Sequence, residues 1–225
     1  MALFVLVHGS WHGPWVWEPV ALDLRKRGHE VVAPELPIDE AGATWQDYAD
    51  RVAGAVGDRA QETILVGHSA GAIPVAIAAS DNAPRLAVYL TPSNPARELP
   101  EDRPVRLKPE LDVVVKYDDQ GRDYLEVEDA VSVFYSRLDR STARWAASRL
   151  RPQAETGEIP LERPPSVPSA FIYASHDEVF TTDGMIWSAK HVFGLEPIEI
   201  DTGHTPQLEA PEGLADLLEN LSNSR

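Results

Sequence analysis

The sequence predicts an α/β fold, a mainly parallel sheet flanked by helices with one short insertion. Three observations carry this. Short apolar, β-branched runs alternate with helical stretches from the first residues onward. One such run, Thr63-Ile64-Leu65-Val66, passes through Gly67-His68-Ser69-Ala70-Gly71 straight into the apolar helical stretch Ala72 to Ala79. The rhythm breaks after Leu90 and returns near Ala170, continuing almost to the end. Strands joined by helices must lie parallel, because hairpins cannot join parallel neighbours.

The elements follow in order. Leu3 to Val7 reads as a buried strand; it is too short for a leader core and has no basic flank. His8-Gly9-Ser10-Trp11-His12-Gly13-Pro14 is a loop. A helix is expected from Trp15 to Arg27, its apolar content including Val16, Val20, Leu22 and Leu24, with Gly28 closing it. Glu30 to Ala33 is a strand stopped by Pro34. Trp45 to about Asp58 is a helix with Trp45, Tyr48, Ala49, Val52 and Val56 on one face and Thr44 as N-cap. Leu86 to Leu90 is the strand after the helical stretch from Ala72 to Ala79.

Between Thr91 and Pro168 the chain turns rich in proline and charge. A hairpin is expected there, Val113 to Tyr117 and Asp123 to Val127 around the turn Asp118-Asp119-Gln120-Gly121. That acidic turn lacks the glutamate an EF-hand needs and reads as a plain hairpin turn. Helices are expected at about 129–137 and 141–150. Residues 1–91 and 169–225 then form the core, and 92–168 a lid over the strand ends, where ligands bind in such sheets. The core resumes with a strand from Ala170 to Ala174, a helix at about 183–191, a strand from Pro197 to Ile200, and a last helix from Pro211 to about Leu221.

A chain of 225 residues with 43% hydrophobic content supports one domain with a full core. No apolar run approaches membrane-spanning length. The net charge of −16 argues against nucleic acid and anionic membranes as partners. The absence of cysteine excludes disulfides and thiolate metal sites and suits a cytoplasmic location. The one histidine pair four residues apart, His8 and His12, lies in an expected loop and not on a helix, so no metal and no cofactor is expected. The oligomeric state is left open, a dimer being one option.

G-x-S-x-G at a strand-to-helix turn is a nucleophile elbow, whose glycines allow a turn tight enough to hold a strained serine at the strand's end. A serine hydroxyl needs a base, and the base an orienting acid. In chains of this order the acid follows a late strand and the histidine the last one. Ser69, Asp177 and His204 fit as nucleophile, acid and base. Glu178 and Asp201 compete with Asp177, although Asp201 lies so close to His204 in sequence that it would approach from the wrong side. The backbone N–H groups of Ala70 and Ser10 are the expected oxyanion donors, with Trp11 as rival to Ser10. Trp11, Tyr135 and Trp145 are candidate pocket residues; Trp11, Trp15 and Trp17 also read as packing at a helix start. His8, His12 and His68 are expected to support the site.

Taken together, Phe4 to Trp17, Gly67 to Gly71, and Gly203-His204-Thr205-Pro206-Gln207-Leu208 through Pro211 resemble the α/β-hydrolases of the methyl-ester esterase and hydroxynitrile lyase group. The resemblance covers both flanks and is loose between Pro92 and Pro168. It implies an α/β-hydrolase fold without the two leading strands of larger members, and serine esterase chemistry on a small-molecule ester. It also raises a lyase alternative. Lyases of this group place threonine or asparagine where this chain has Gly9, and the best-known ones place lysine where it has Thr205. Both departures point to ester hydrolysis. Small, largely apolar esters are the expected substrates, because a lid with few basic residues and a strongly acidic chain disfavour polyanions. A small-molecule receptor on the same fold is the non-enzyme alternative.

Overall fold

Every strand of the central sheet runs parallel to its neighbours, as the alternation requires. The computed structural model describes residues 1–99, 104, 107, 108 and 114–224. Its strands are β1 (Leu3–Val7), β2 (Glu30–Val32), β3 (Thr63–His68), β4 (Leu86–Leu90), β5 (Lys116–Tyr117), β6 (Asp123–Tyr124), β7 (Ser169–Ala174) and β8 (Pro197–Ile200). Six of them form one sheet in the order β2-β1-β3-β4-β7-β8, and β5 pairs with β6 separately and antiparallel. The register sets Val7 beside Gly67, His68 beside Leu90 and Ala174 beside Ile200. The loops leaving β1, β3, β7 and β8 therefore emerge at one edge of the sheet.

The helices are α1 (Glu18–Lys26), α2 (Trp45–Val56), α3 (Ala72–Asn82), α4 (Val127–Phe134), α5 (Arg140–Ala147), α6 (Thr182–His191), α7 (Pro206–Glu209) and α8 (Pro211–Asn223). Successive strand residues point to opposite faces, so β1 serves two cores. Leu3, Val5 and Val7 pack with Trp45, Tyr48 and Val52 of α2 and with α3. Phe4 and Leu6 pack with Val20 and Leu24 of α1 and with Leu214 and Leu218 of α8. Burial on both faces explains why the strands read as continuous apolar runs.

Most elements lie within a few residues of their expected bounds, and the differences have local causes. The helix expected from Trp15 is divided into a 3-10 turn, Pro14–Trp17, and α1. Pro19 has no N–H to return to Trp15, so regular α-helix begins only around it. Leu22 is 56% exposed, on the face opposite Val20 and Leu24, and does not belong to the apolar stripe. The stripe expected on α2 is fully buried, and Thr44 caps it through a reciprocal pair: Asp47 N–H donates to Thr44 Oγ1 (3.3 Å) and Thr44 N–H to Asp47 Oδ2 (2.7 Å).

The hairpin is shorter than expected, because α4 already begins at Val127; Val113 lies outside the described residues. Its turn is held by Asp118 Oδ1, which accepts from the N–H groups of Gln120 and Arg122 at 2.9 Å each. The short helix α7, directly after His204, was not anticipated. Helices α4 and α5 pack through Ala130, Val133, Phe134, Ala143 and Ala146 in a cluster that also takes up Trp11, Trp15 and Leu208 from the sheet's loops. Among the described residues no helix is long and apolar enough to cross a membrane.

Candidate active site

Ser69 closes β3 with φ of 51°, left-handed backbone that an L-residue occupies only under constraint. The surrounding glycines are a matter of space. A Cβ on Gly67 would stand 2.7 Å from Gly71 O and 2.8 Å from Ala72 Cα. One on Gly71 would collide with His8 O and lie 2.8 Å from Val7 O. The elbow is thus wedged against the end of β1, which brings the Ser10 loop beside it. A Cβ on Gly9 would come 2.9 Å from Ser69 Cβ.

His204 and Asp177 meet although 27 residues separate them. His204 Nδ1 donates to Asp177 Oδ2 at 2.8 Å, with the two side chains 2% and 1% exposed. The other carboxylate oxygen, Oδ1, accepts from the N–H groups of Val179 (2.7 Å) and Phe180 (3.1 Å), which fixes the plane of the acid. This pairing fits the tautomer that carries its proton on Nδ1. The rival acids are occupied elsewhere. Glu178 pairs with Lys108 (2.8 Å), and Asp201, 78% exposed, pairs with His176 (3.0 Å) and Arg137 (3.5 Å).

The link between elbow and histidine loop is His68, whose Nε2 donates to His204 O at 2.8 Å with ring centroids 5.0 Å apart. His68, His8 and His12 are all buried and neutral. Burial holds His68 well below the usual imidazole range and lowers His8 to about 3 and His12 to about 4. Their hydrogen bonds fit one tautomer each. His8 Nδ1 donates to Gly9 O (3.0 Å) while Nε2 accepts from Leu36 N–H (3.3 Å). His12 Nδ1 donates to Ser10 O (2.7 Å) while Nε2 accepts from the Tyr135 hydroxyl (2.8 Å).

Ser10 and Ala70 line the same narrow cavity beside the elbow, together with Gly71, Tyr48 and Gln153. The backbone N–H of Trp11, the rival donor, is already engaged by Gln153 Oε1 at 3.1 Å. Of the pocket candidates, Trp11 lies between this loop and Phe134, with ring centroids 5.8 Å apart. Tyr135 is fully buried behind His12. Trp145 is on the outer surface, 46% exposed, against Trp15 and beside Arg149. The apolar rings beside His204 are instead Phe134 and Phe180, at 5.4 and 5.5 Å.

Two further contacts secure the histidine loop. Thr205 Oγ1 donates to Phe134 O (2.8 Å), and the Glu209 carboxylate accepts from Gly203 N–H (2.7 Å). Phe180 could have been suspected from its place three residues after Asp177; Phe134, Gln153 and Glu209 give no sequence signal of their own. Among the described residues no group of three or more metal-binding side chains assembles.

Residues 4–217 match the alpha/beta hydrolase family, and the chain belongs to it. Among curated proteins it is similar to a carbendazim hydrolyzing esterase of Nocardioides sp. (strain SG-4G), 36% identical over 40% of this chain and 41% of that one. It is similar also to methylesterase 4 of Arabidopsis thaliana, 36% identical over 43% of this chain and 42% of that one. The matched stretch spans about two-fifths of each of these relatives. Among solved structures, the methylesterase MES16 from Arabidopsis superposes with a TM-score of 0.78 at 19% identity, covering 100% of both chains. A pyrethroid hydrolase from Sphingobium faniae JZ-2 gives a TM-score of 0.77 at 20% identity over 99% of this chain and 98% of that one.

Proposed function

We propose that this protein is a serine esterase that cleaves small, largely apolar carboxylic esters. The observation that carries the reading is the buried His204–Asp177 pair, joined through His68 to a strained serine at the end of β3. Ser69 Oγ attacks the ester carbonyl while His204 Nε2 takes its proton. Asp177 holds the ring in the required tautomer and stabilises the imidazolium. The N–H groups of Ser10 and Ala70 receive the oxyanion. His204 then protonates the leaving alcohol, and a water deprotonated by His204 releases the acid from the acyl-enzyme.

Phe134 and Phe180 beside His204 supply apolar surface, and a net charge of −16 disfavours polyanionic substrates. Residues 92–168 act as the lid, a role supported by the contact of Phe134 with His204 and of Trp11 with β6. The names of the matched relatives, esterases and methylesterases, agree with ester cleavage. Cyanohydrin cleavage is disfavoured at two positions. A side chain at residue 9 would press on Ser69, and Thr205 is buried with its hydroxyl committed to Phe134 O.

The test is steady-state turnover of a panel of short-chain p-nitrophenyl and methyl esters, run beside cyanide release from simple cyanohydrins. Ester turnover that falls at least about a thousandfold in Ser69→Ala supports the proposal. Cyanide release without ester turnover would replace it with the lyase reading, and tight ligand binding with neither activity would favour a receptor.

A further inference from the structure

The loop carrying Ser10 is held from outside the core. Trp11 has φ of 60°, a left-handed conformation that strains a non-glycine residue and persists only where its surroundings enforce it. Three hydrogen bonds do so. The Trp11 N–H donates to Gln153 Oε1 (3.1 Å), the Trp11 carbonyl accepts from Arg151 N–H (2.8 Å), and the indole N–H donates to Asp123 Oδ1 (2.7 Å). All three partners belong to the insertion.

These partners are themselves fixed. Asp123 and Gln153 exchange backbone hydrogen bonds at 2.8 Å in each direction, and Ala154 N–H donates to Ile38 O at 2.6 Å. The Arg151 guanidinium pairs with Glu35 and, at 3.4 Å, with Asp39. Residues 151–154 therefore form a strap, stitched to β6 on one side and to the loop after β2 on the other. The strap engages the Trp11 N–H, and the Ser10 carbonyl is taken by His12 Nδ1. Both faces of the Ser10–Trp11 peptide are thereby fixed, leaving the Ser10 N–H as the donor beside Ala70 in the cavity that Gln153 also lines.

We propose that Gln153 and Asp123 are positioning residues that hold the strained Trp11 so that the Ser10 N–H meets the oxyanion. The inference rests on the esterase reading above and deepens it, making the insertion a structural part of the oxyanion hole. Removing an oxyanion donor outright typically costs about 10²–10³ in turnover, and a displaced donor retains part of its effect. The Gln153→Ala variant is expected to lower kcat about ten- to a hundredfold with KM within about threefold of wild type. Gln153→Glu keeps an acceptor oxygen for the Trp11 N–H and is expected to recover most of kcat. Asp123→Ala against Asp123→Asn forms an independent pair with the same expectation, and carries the test if Gln153→Ala does not fold.

Inhibition by a trifluoromethyl ketone, whose bound form places an oxyanion, is expected to weaken by the same factor as kcat/KM. A kcat unchanged in both alanine variants, or a loss confined to KM, would overturn the proposal while leaving the esterase reading intact. A wild type without ester turnover would overturn both, and Ser69→Ala separates true turnover from background.

Discussion

Ser69, Gly67 and Gly71 act as one steric unit: the serine is strained because the chain must turn, and the glycines leave room for it to do so. Gly71→Ala would drive a methyl group into the carbonyls ending β1, and is expected to destabilise the fold by about 3 kcal/mol or more, measured by urea denaturation. A loss under about 1 kcal/mol would mean that the elbow and β1 are free to separate. Ser10 behaves differently, because its proposed contribution is a backbone N–H. Ser10→Ala is expected to keep kcat within about threefold, and a thousandfold loss would mean that its hydroxyl acts directly. At this scale Ser69 and His204 are legible in the sequence because their motifs are local and follow predicted strands. Asp177 is preferred in the sequence over Glu178 and Asp201, while its bond to His204 depends on the direction of the loop after β7. Phe134, Phe180 and Gln153 were not singled out, because what distinguishes them is where distant segments meet.

At the scale of elements, the insertion and the core are joined at specific points. Thr205 on the histidine loop bonds to the last carbonyl of α4, and Trp11 bonds to β6. Thr205→Val leaves the buried Phe134 carbonyl without this donor and is expected to cost about 1–3 kcal/mol of stability by chemical denaturation. Thr44→Ala removes the cap of α2, far from these contacts, and is expected to cost about 1 kcal/mol with kcat unchanged. The strands and the stripe of α2 were legible because burial on both sheet faces, or on one helix face, writes a period into the sequence. The hairpin and helices α4 and α5 were blurred at their ends. There the boundaries are set by a turn at Asp118 and a cap at Asp139, whose side chain accepts from Ser141 and Thr142 N–H, and not by hydrophobic period.

Across the whole molecule, three neutral buried histidines tie stability to pH. In the folded state His8 and His12 titrate near 3 and 4 and His68 well below its ordinary value, against about 6.5 when unfolded. Between those limits the unfolded chain binds more protons, so stability is retained above about pH 6.5 and lost as the pH falls towards 4. His8 and His12 each account for about 2 kcal/mol of loss by pH 5, and His68 adds to it in the same direction. Buried Glu209, whose carboxyl is raised by desolvation, works in the opposite direction. Urea unfolding at pH 7 and pH 5 should therefore show a marked fall in stability at the lower pH, and equal stabilities would mean that these histidines are protonated in the folded protein.

The α/β architecture was legible at this scale because alternation forces parallel pairing, and the order of the acid and histidine follows from it. The most direct measurement is intact-mass and peptide mapping of the protein after exposure to a fluorophosphonate. A single adduct on Ser69, absent from Ser69→Ala and strongly slowed in His204→Ala, is the predicted result. No adduct, or one on another residue, would contradict the assignment of Ser69 as an activated nucleophile.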